Sequence, residues 1–208
     1  FLANGAQPWL IPSMADLPAI HLRVAKEGDE YQPYARDPET LARIWAWPGT
    51  KGLEHRIGGL EKMNITGNIS YVPENHQVMT DLREAKVERI AQYIPEQEVY
   101  GNPEGGEVLL VGWGGTYGHL VSVAKEMRSE GKDVSLAHFN YINPLPKNTG
   151  DIFARYKKIV VCELNLGQFA GYLRSKFPQY TYLQCNKVEG LPFTVVELKE
   201  KISHLMNI

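Results

Sequence analysis

Residues 105–146 constrain the fold of this chain more than any other stretch. The run 108–111 is apolar and bounded by glycines, the composition of a strand buried on both faces. Residues 119–130 then bring Leu120, Val123, Ala124 and Met127 to one face at helical spacing, with Lys125, Arg128 and Glu130 elsewhere. Gly131 supplies the stop. A second strand spans 134–139. Two strands joined through a helix cannot form a hairpin, so the unit is βαβ, with parallel strands and a right-handed crossover.

The loop inside this unit is Gly112-Trp-Gly-Gly-Thr-Tyr-Gly118. A dinucleotide fingerprint would place glycines at 112, 114 and 117 and an acidic residue at the end of the second strand. Tyr117 occupies the third glycine position, and Asp133 precedes the strand instead of ending it. The loop therefore reads either as a plain tight turn or as a contact loop for an anion, a cofactor edge or a partner at the helix N-terminus.

The pattern then repeats. A proline-rich loop at 140–146 leads to a short helix over Ile152 and Phe153, and to a strand at 158–162. Next come the polar segment Glu163-Leu-Asn-Leu-Gly-Gln168 and a helix at 168–177, with Phe169, Tyr172, Leu173 and Phe177 inward. After a strand at 180–185, Thr194 and Glu197 form a capping box for a last helix presenting Val195, Leu198, Ile202 and Leu205. Alternating strands and helices of this kind predict a three-layer α/β domain with an open, mainly parallel sheet. Its strand-end loops offer Gly114, Gly115 and Thr116, then Asn143, then Glu163, Asn165 and Gln168, then Lys187. Glu163 has three readings: a general acid or base, a subunit contact, or, with Lys187, an anchor for the loops. His138 reads as a packed, hydrogen-bonded side chain. The pattern lacks a serine or cysteine placed beside a histidine, so triad hydrolysis has little support.

Residues 1–55 differ in kind. Pro8, Pro12, Pro18, Pro33, Pro38 and Pro48 interrupt scattered apolar residues such as Trp9, Leu10, Ile20, Tyr31, Tyr34, Trp45 and Trp47. Only 19–25 alternates like a strand, and 37–43 suggests one helical turn or a tight turn. Such an irregular arm buries its aromatics against a surface that it does not itself supply. The glycine-punctuated stretch 48–76 carries His55, Arg56, Glu61 and Lys62, expected to form a second polar cluster. A helix at 75–94, with Val78, Leu82, Ala85 and Arg89 in one stripe that Met79, Ile90 and Ile94 widen, ends before Pro95, and 96–104 is a linker. The expected division is 1–95 and 96–208.

The formal charge of −2 is no case for nucleic acid, and no apolar run approaches a membrane span. Cys162 and Cys185 lie in strand contexts, outside any Cys-x-x-Cys group, and read as buried inert thiols of a cytoplasmic protein. An iron–sulfur cluster or zinc held by this chain is not expected. The start at Phe1, straight into Leu-Ala-Asn-Gly, reads as the middle of something longer.

His55-Arg-Ile-Gly-Gly-Leu-Glu-Lys62, Gly67-Asn-Ile-Ser70, Pro73-Glu-Asn-His76 with Arg83 and Lys86, the 111–118 loop, Asn143-Pro-Leu-Pro146, 163–168 and 187–193 together resemble the alpha subunit of 2-oxoacid:ferredoxin oxidoreductases, the 2-oxoglutarate type above all. The resemblance runs over essentially the whole chain. It implies the tail of a domain that binds the pyrimidine end of thiamine diphosphate, followed by a domain like the C-terminal domain of transketolase. It also implies a beta subunit holding the diphosphate and Mg, with iron–sulfur clusters there or in a ferredoxin-like subunit. The reaction implied is oxidative decarboxylation of a 2-oxoacid to acyl-CoA, with electrons passing to ferredoxin. On this reading the segment serves subunit assembly and active-site framing, binds no cofactor by itself and is inactive in isolation. The other reading is a stand-alone module that binds a small ligand or anion at the 112–118 loop.

Overall fold

The computed structural model describes residues 11, 13–17, 19 and 22–207. Pro8, Trp9, Leu10, Pro12, Pro18 and Ile20 lie outside the described residues, as does His21; in the described part of the strand expected at 19–25, pairing is confined to the isolated bridge of Val24 with Trp45. Two compact units divide at Lys86 and Val87. That point lies inside helix α1, Pro73–Arg89, earlier than the division at 95 expected from the sequence.

The second unit is built on four strands, β1 Gly106–Trp113, β2 Val134–Phe139, β3 Tyr156–Glu163 and β4 Tyr182–Asn186. Their order is β2-β1-β3-β4 and every pairing is parallel. Between and after them run α2 Tyr117–Ser129, α3 Thr149–Ala154, α4 Gln168–Lys176 and α5 Val195–Met206. β1 exceeds the expected run because its flanks keep pairing: Gly106 is in register with Tyr156, and Trp113 with Phe139. Backbone hydrogen bonds do not require an apolar side chain.

Alternation along the strands sorts the core into two layers. Val108, Leu110, Val134, Leu136, Val160, Cys162 and Cys185 pack with Leu120, Val123 and Met127 of α2 and Leu198 and Ile202 of α5. Leu109, Val111, Ala137, Phe139, Ile159 and Val161 pack with Ile152 and Phe153 of α3 and Phe169 and Leu173 of α4. The sheet is thus covered on both faces, as its continuous apolar strands require. The four apolar positions expected to face inward from α2 are all buried.

The segment expected as a linker at 96–104 does more than connect. Tyr100 and Leu136 exchange backbone hydrogen bonds, both at 2.9 Å, in an antiparallel bridge along the open edge of β2. The Asn148 side chain grips Gln97 by its N–H at 2.9 Å and its carbonyl at 3.0 Å. An edge strand otherwise open to pairing is covered in this way.

The first unit is held by isolated bridges, Val24 with Trp45, Tyr34 with Ile65, Arg36 with Arg43 and Lys62 with Ile69. Its buried apolar side chains are few among the described residues: Ala25, Leu41, Leu53 and Met79. The stretch 37–43 is a tight turn, with the Asp37 carboxylate accepting the N–H groups of Glu39 at 3.0 Å and Thr40 at 2.8 Å. In α1 the expected stripe is inward on its Met79 side and outward on its Val78 side. Asn75 and Met79 are buried, while Val78 is 43% exposed. The cause is polar: Asn75 donates to the Lys62 carbonyl at 2.9 Å and accepts from the Asn64 N–H at 2.9 Å, which sets the rotation of the helix.

Candidate functional site

The strand order reverses between β1 and β3, and open α/β sheets bind ligands outside the carboxyl ends of strands at such a point. Glu163, the last residue of β3, is fully buried there. Its carboxylate accepts the backbone N–H groups of Phe169 at 2.8 Å and Ala170 at 3.0 Å, in the first turn of α4. It also accepts the Trp113 indole N–H at 3.3 Å and the Asn165 amide at 3.1 Å. Asn165 in turn accepts the N–H groups of Gly167 at 2.7 Å and Gln168 at 3.1 Å. A helix N-terminus leaves such donors without intrahelical partners, and here two side chains satisfy them. Gly167, at φ 93, makes the tight entry into α4.

Lys187 follows β4 and is also nearly buried. It does not pair with Glu163 through side chains; only its backbone N–H reaches the Glu163 carbonyl, at 3.0 Å. Its ammonium donates to Glu197 at 2.7 Å and to the Pro192 carbonyl at 3.2 Å. Lys187 first, and Lys201 second, hold the Glu197 carboxyl down at about 2. Asn143 accepts the Tyr172 hydroxyl at 3.3 Å. Thr116 turns back to the Trp113 carbonyl at 2.9 Å, and open space lies beside Gly114 and Gly115. Gly112 has a packing reason: an added Cβ would stand 2.2 Å from Leu120, so only glycine lets α2 sit this close to β1. Gln168 is exposed at the mouth. The edge therefore combines polar groups tied inward with large apolar groups facing out. Leu166 is 81%, Leu191 63% and Val188 62% exposed, and Tyr117, Tyr141 and Leu164 are exposed beside them.

His138, near the end of β2, packs edge-on against Tyr117 at 5.1 Å. Burial pushes its pKa down. Hydrogen bonding to the backbone of Gly114 and Trp113 opposes that shift, while Nε2 is buried without a hydrogen-bond partner among the described residues.

The polar cluster expected at 55–62 is not one cluster. Lys62 is buried and donates to the carbonyls of Gly58, at 2.6 Å, and Leu60. Glu61 pairs with His76 at 2.5 Å and Arg83 at 3.7 Å. The His76 hydrogen bond, above all, holds the Glu61 carboxyl below its usual range. The ring Nδ1 of His55 is 2.8 Å from the Leu53 carbonyl, and Arg56 is exposed. Trp113, His76 and Glu197 were not singled out as site candidates by the sequence. The signal for His76 was present in the 73–76 motif, but its carboxylate partner is distant in sequence.

No family model matches the chain. Subunit KorA of the 2-oxoglutarate oxidoreductase of Mycobacterium tuberculosis is 47% identical to it over 197 residues, 95% of this chain. The chain is a relative of the 2-oxoacid:ferredoxin oxidoreductase alpha subunits. The alpha subunit of 2-oxoacid:ferredoxin oxidoreductase 1 of Aeropyrum pernix is 33% identical over 109 residues, 49% of this chain and 17% of that subunit. The 2-oxoglutarate:ferredoxin oxidoreductase of Magnetococcus marinus, solved with 2-oxoglutarate, coenzyme A and succinyl-CoA bound, superposes with TM-score 0.82 over 94% of this chain at 24% identity, which is a likeness of fold. The chain spans 30% of the KorA relative and 34% of the solved chain.

Proposed function

We propose that the chain is part of an alpha subunit of a 2-oxoglutarate:ferredoxin oxidoreductase. That enzyme decarboxylates the 2-oxoacid, captures the acyl group on coenzyme A and passes electrons to ferredoxin. The 47% identity across nearly the whole chain carries the reading. Within the enzyme, the carboxyl edge of the sheet serves assembly. Its exposed Leu164, Leu166, Val188 and Leu191 suit burial against the beta subunit, while Glu163, Asn165 and Lys187 keep the loops in shape. Gly114, Gly115, Thr116, Asn143 and Gln168 line that edge, and His55, Arg56 and Glu61 belong to the surface that frames the active site.

Thiamine diphosphate, Mg and the iron–sulfur cluster are assigned to other parts of the enzyme. The side chains described here do not fit them: both cysteines are buried in the core, and Glu163 is fully engaged. No helix among the described residues is long and apolar enough to cross a membrane, and we place the enzyme in the cytoplasm.

Reconstitution tests the reading. The complete alpha subunit is mixed with beta and given 2-oxoglutarate, coenzyme A and a low-potential acceptor, and acceptor reduction is followed. Turnover by the reconstituted complex and none by the 208-residue chain is expected. Turnover by the chain alone, or a complex inert with every 2-oxoacid, overturns it.

A further inference from the structure

The segment 96–100 alternates along its length. Glu96, Glu98 and Tyr100 are exposed, while Gln97 and Val99 between them are part-buried, as in an extended chain whose side chains at i and i+2 share a face. The inner side is anchored: Gln97 Nε2 donates to the His138 carbonyl at 3.0 Å, and Val99 packs on the core layer of Leu109 and Phe139. The outer side borders a cavity of about 560 Å³ within the second unit. Glu96, Glu98 and Tyr100 line it together with Tyr117 at the start of α2, His138 of β2 and Tyr141 just past β2.

The lining is acidic and aromatic. No lysine or arginine lines the cavity among the described residues. Among those residues neither carboxylate, of Glu96 or of Glu98, has an ion-pair or hydrogen-bond partner. An extended chain advances about 6.6 Å over two residues, so the two like charges repel and one ligand can meet both. Burial pushes the His138 pKa down, so its ring is neutral at pH 7 and adds no positive charge. Tyr100, Tyr117 and Tyr141 are exposed and offer ring faces that attract a cation. Tyr100 already does so: the Lys125 ammonium, which does not line the cavity, lies 6.0 Å from its ring.

We propose that the cavity lined by Glu96, Glu98, Tyr100, Tyr117, His138 and Tyr141 binds a small organic dication, an alkyl diamine in chemical class. One ammonium group meets each carboxylate, the methylene chain lies against Pro95 and Pro146, and the tyrosine rings face the charges. Binding of this kind uses groups of the second unit alone and does not rest on the family of the chain.

The test is an NMR titration of the 208-residue chain with putrescine at low ionic strength. The ring resonances of His138 and Tyr141 should shift. Glu96→Gln, Glu98→Gln and Tyr141→Ala should each weaken binding about threefold. Glu104→Gln, at an exposed carboxylate outside the cavity, leaves it unchanged. Butylamine, with a single charge, should bind more weakly than putrescine. Circular dichroism confirms that each variant is folded. Putrescine that shifts no cavity resonance overturns the proposal, as does wild-type affinity in the double variant Glu96→Gln, Glu98→Gln. An equal loss in Glu104→Gln also overturns it, since the attraction would then belong to the negative charge of the chain at large. Butylamine binding as tightly as putrescine overturns the diamine.

Discussion

The Glu163 carboxylate accepts the backbone N–H of Phe169 at 2.8 Å, so the end of β3 caps the start of α4. Negative charge at a helix N-terminus is favourable, and a buried donor without a partner is costly. Glu163→Ala strands four donors, two of them backbone amides. It should destabilise the second unit by about 3 kcal/mol, with Glu163→Gln recovering roughly half. Urea unfolding at constant m-value measures this. A Glu163→Ala variant as stable as wild type, yet inactive in the reconstituted enzyme, would move Glu163 from architecture to chemistry.

Glu197 gives a pH dependence of known sign. Its folded value, about 2, lies below the ordinary 4.5. A depressed carboxyl stabilises the fold while ionised, so the contribution is complete above about 4.5 and is lost as pH falls through about 2. Glu197→Gln removes the ion pairs to Lys187 and Lys201 at every pH. The gap in unfolding midpoint between wild type and Glu197→Gln should be constant at neutral pH and close as the solution is acidified through that window. A gap that persists at the acid end counts against the Lys187 ion pair as its source.

Among the described residues, Lys62 is a buried cation held by two carbonyls, those of Gly58 and Leu60. Lys62→Met keeps the apolar stem but releases both carbonyls, so the loop at 56–60 should open more readily. Trypsin should then cut after Arg56 about tenfold faster, from a loss of about 1.4 kcal/mol in local protection. Unchanged cleavage would show that the loop is held by other contacts.

Sequence alone determined the architecture of residues 105–208, because strand and helix periodicities are local. Leu120, Val123, Ala124 and Met127 fall on one helical face whatever lies opposite, and the Thr194–Glu197 capping box is complete within one turn. Only the tertiary structure decided how polar side chains are engaged. Tyr100 reaches Leu136, Trp113 reaches Glu163 and Glu61 reaches His76 through contacts between segments distant along the chain. Spacing carries no record of such contacts. The rotation of α1 shows the same limit. Its pattern offered both Val78 and Met79 as inward positions, and the hydrogen bonds of Asn75 to the loop at 62–64 chose the Met79 side. A buried amide without partners costs more than one exposed valine.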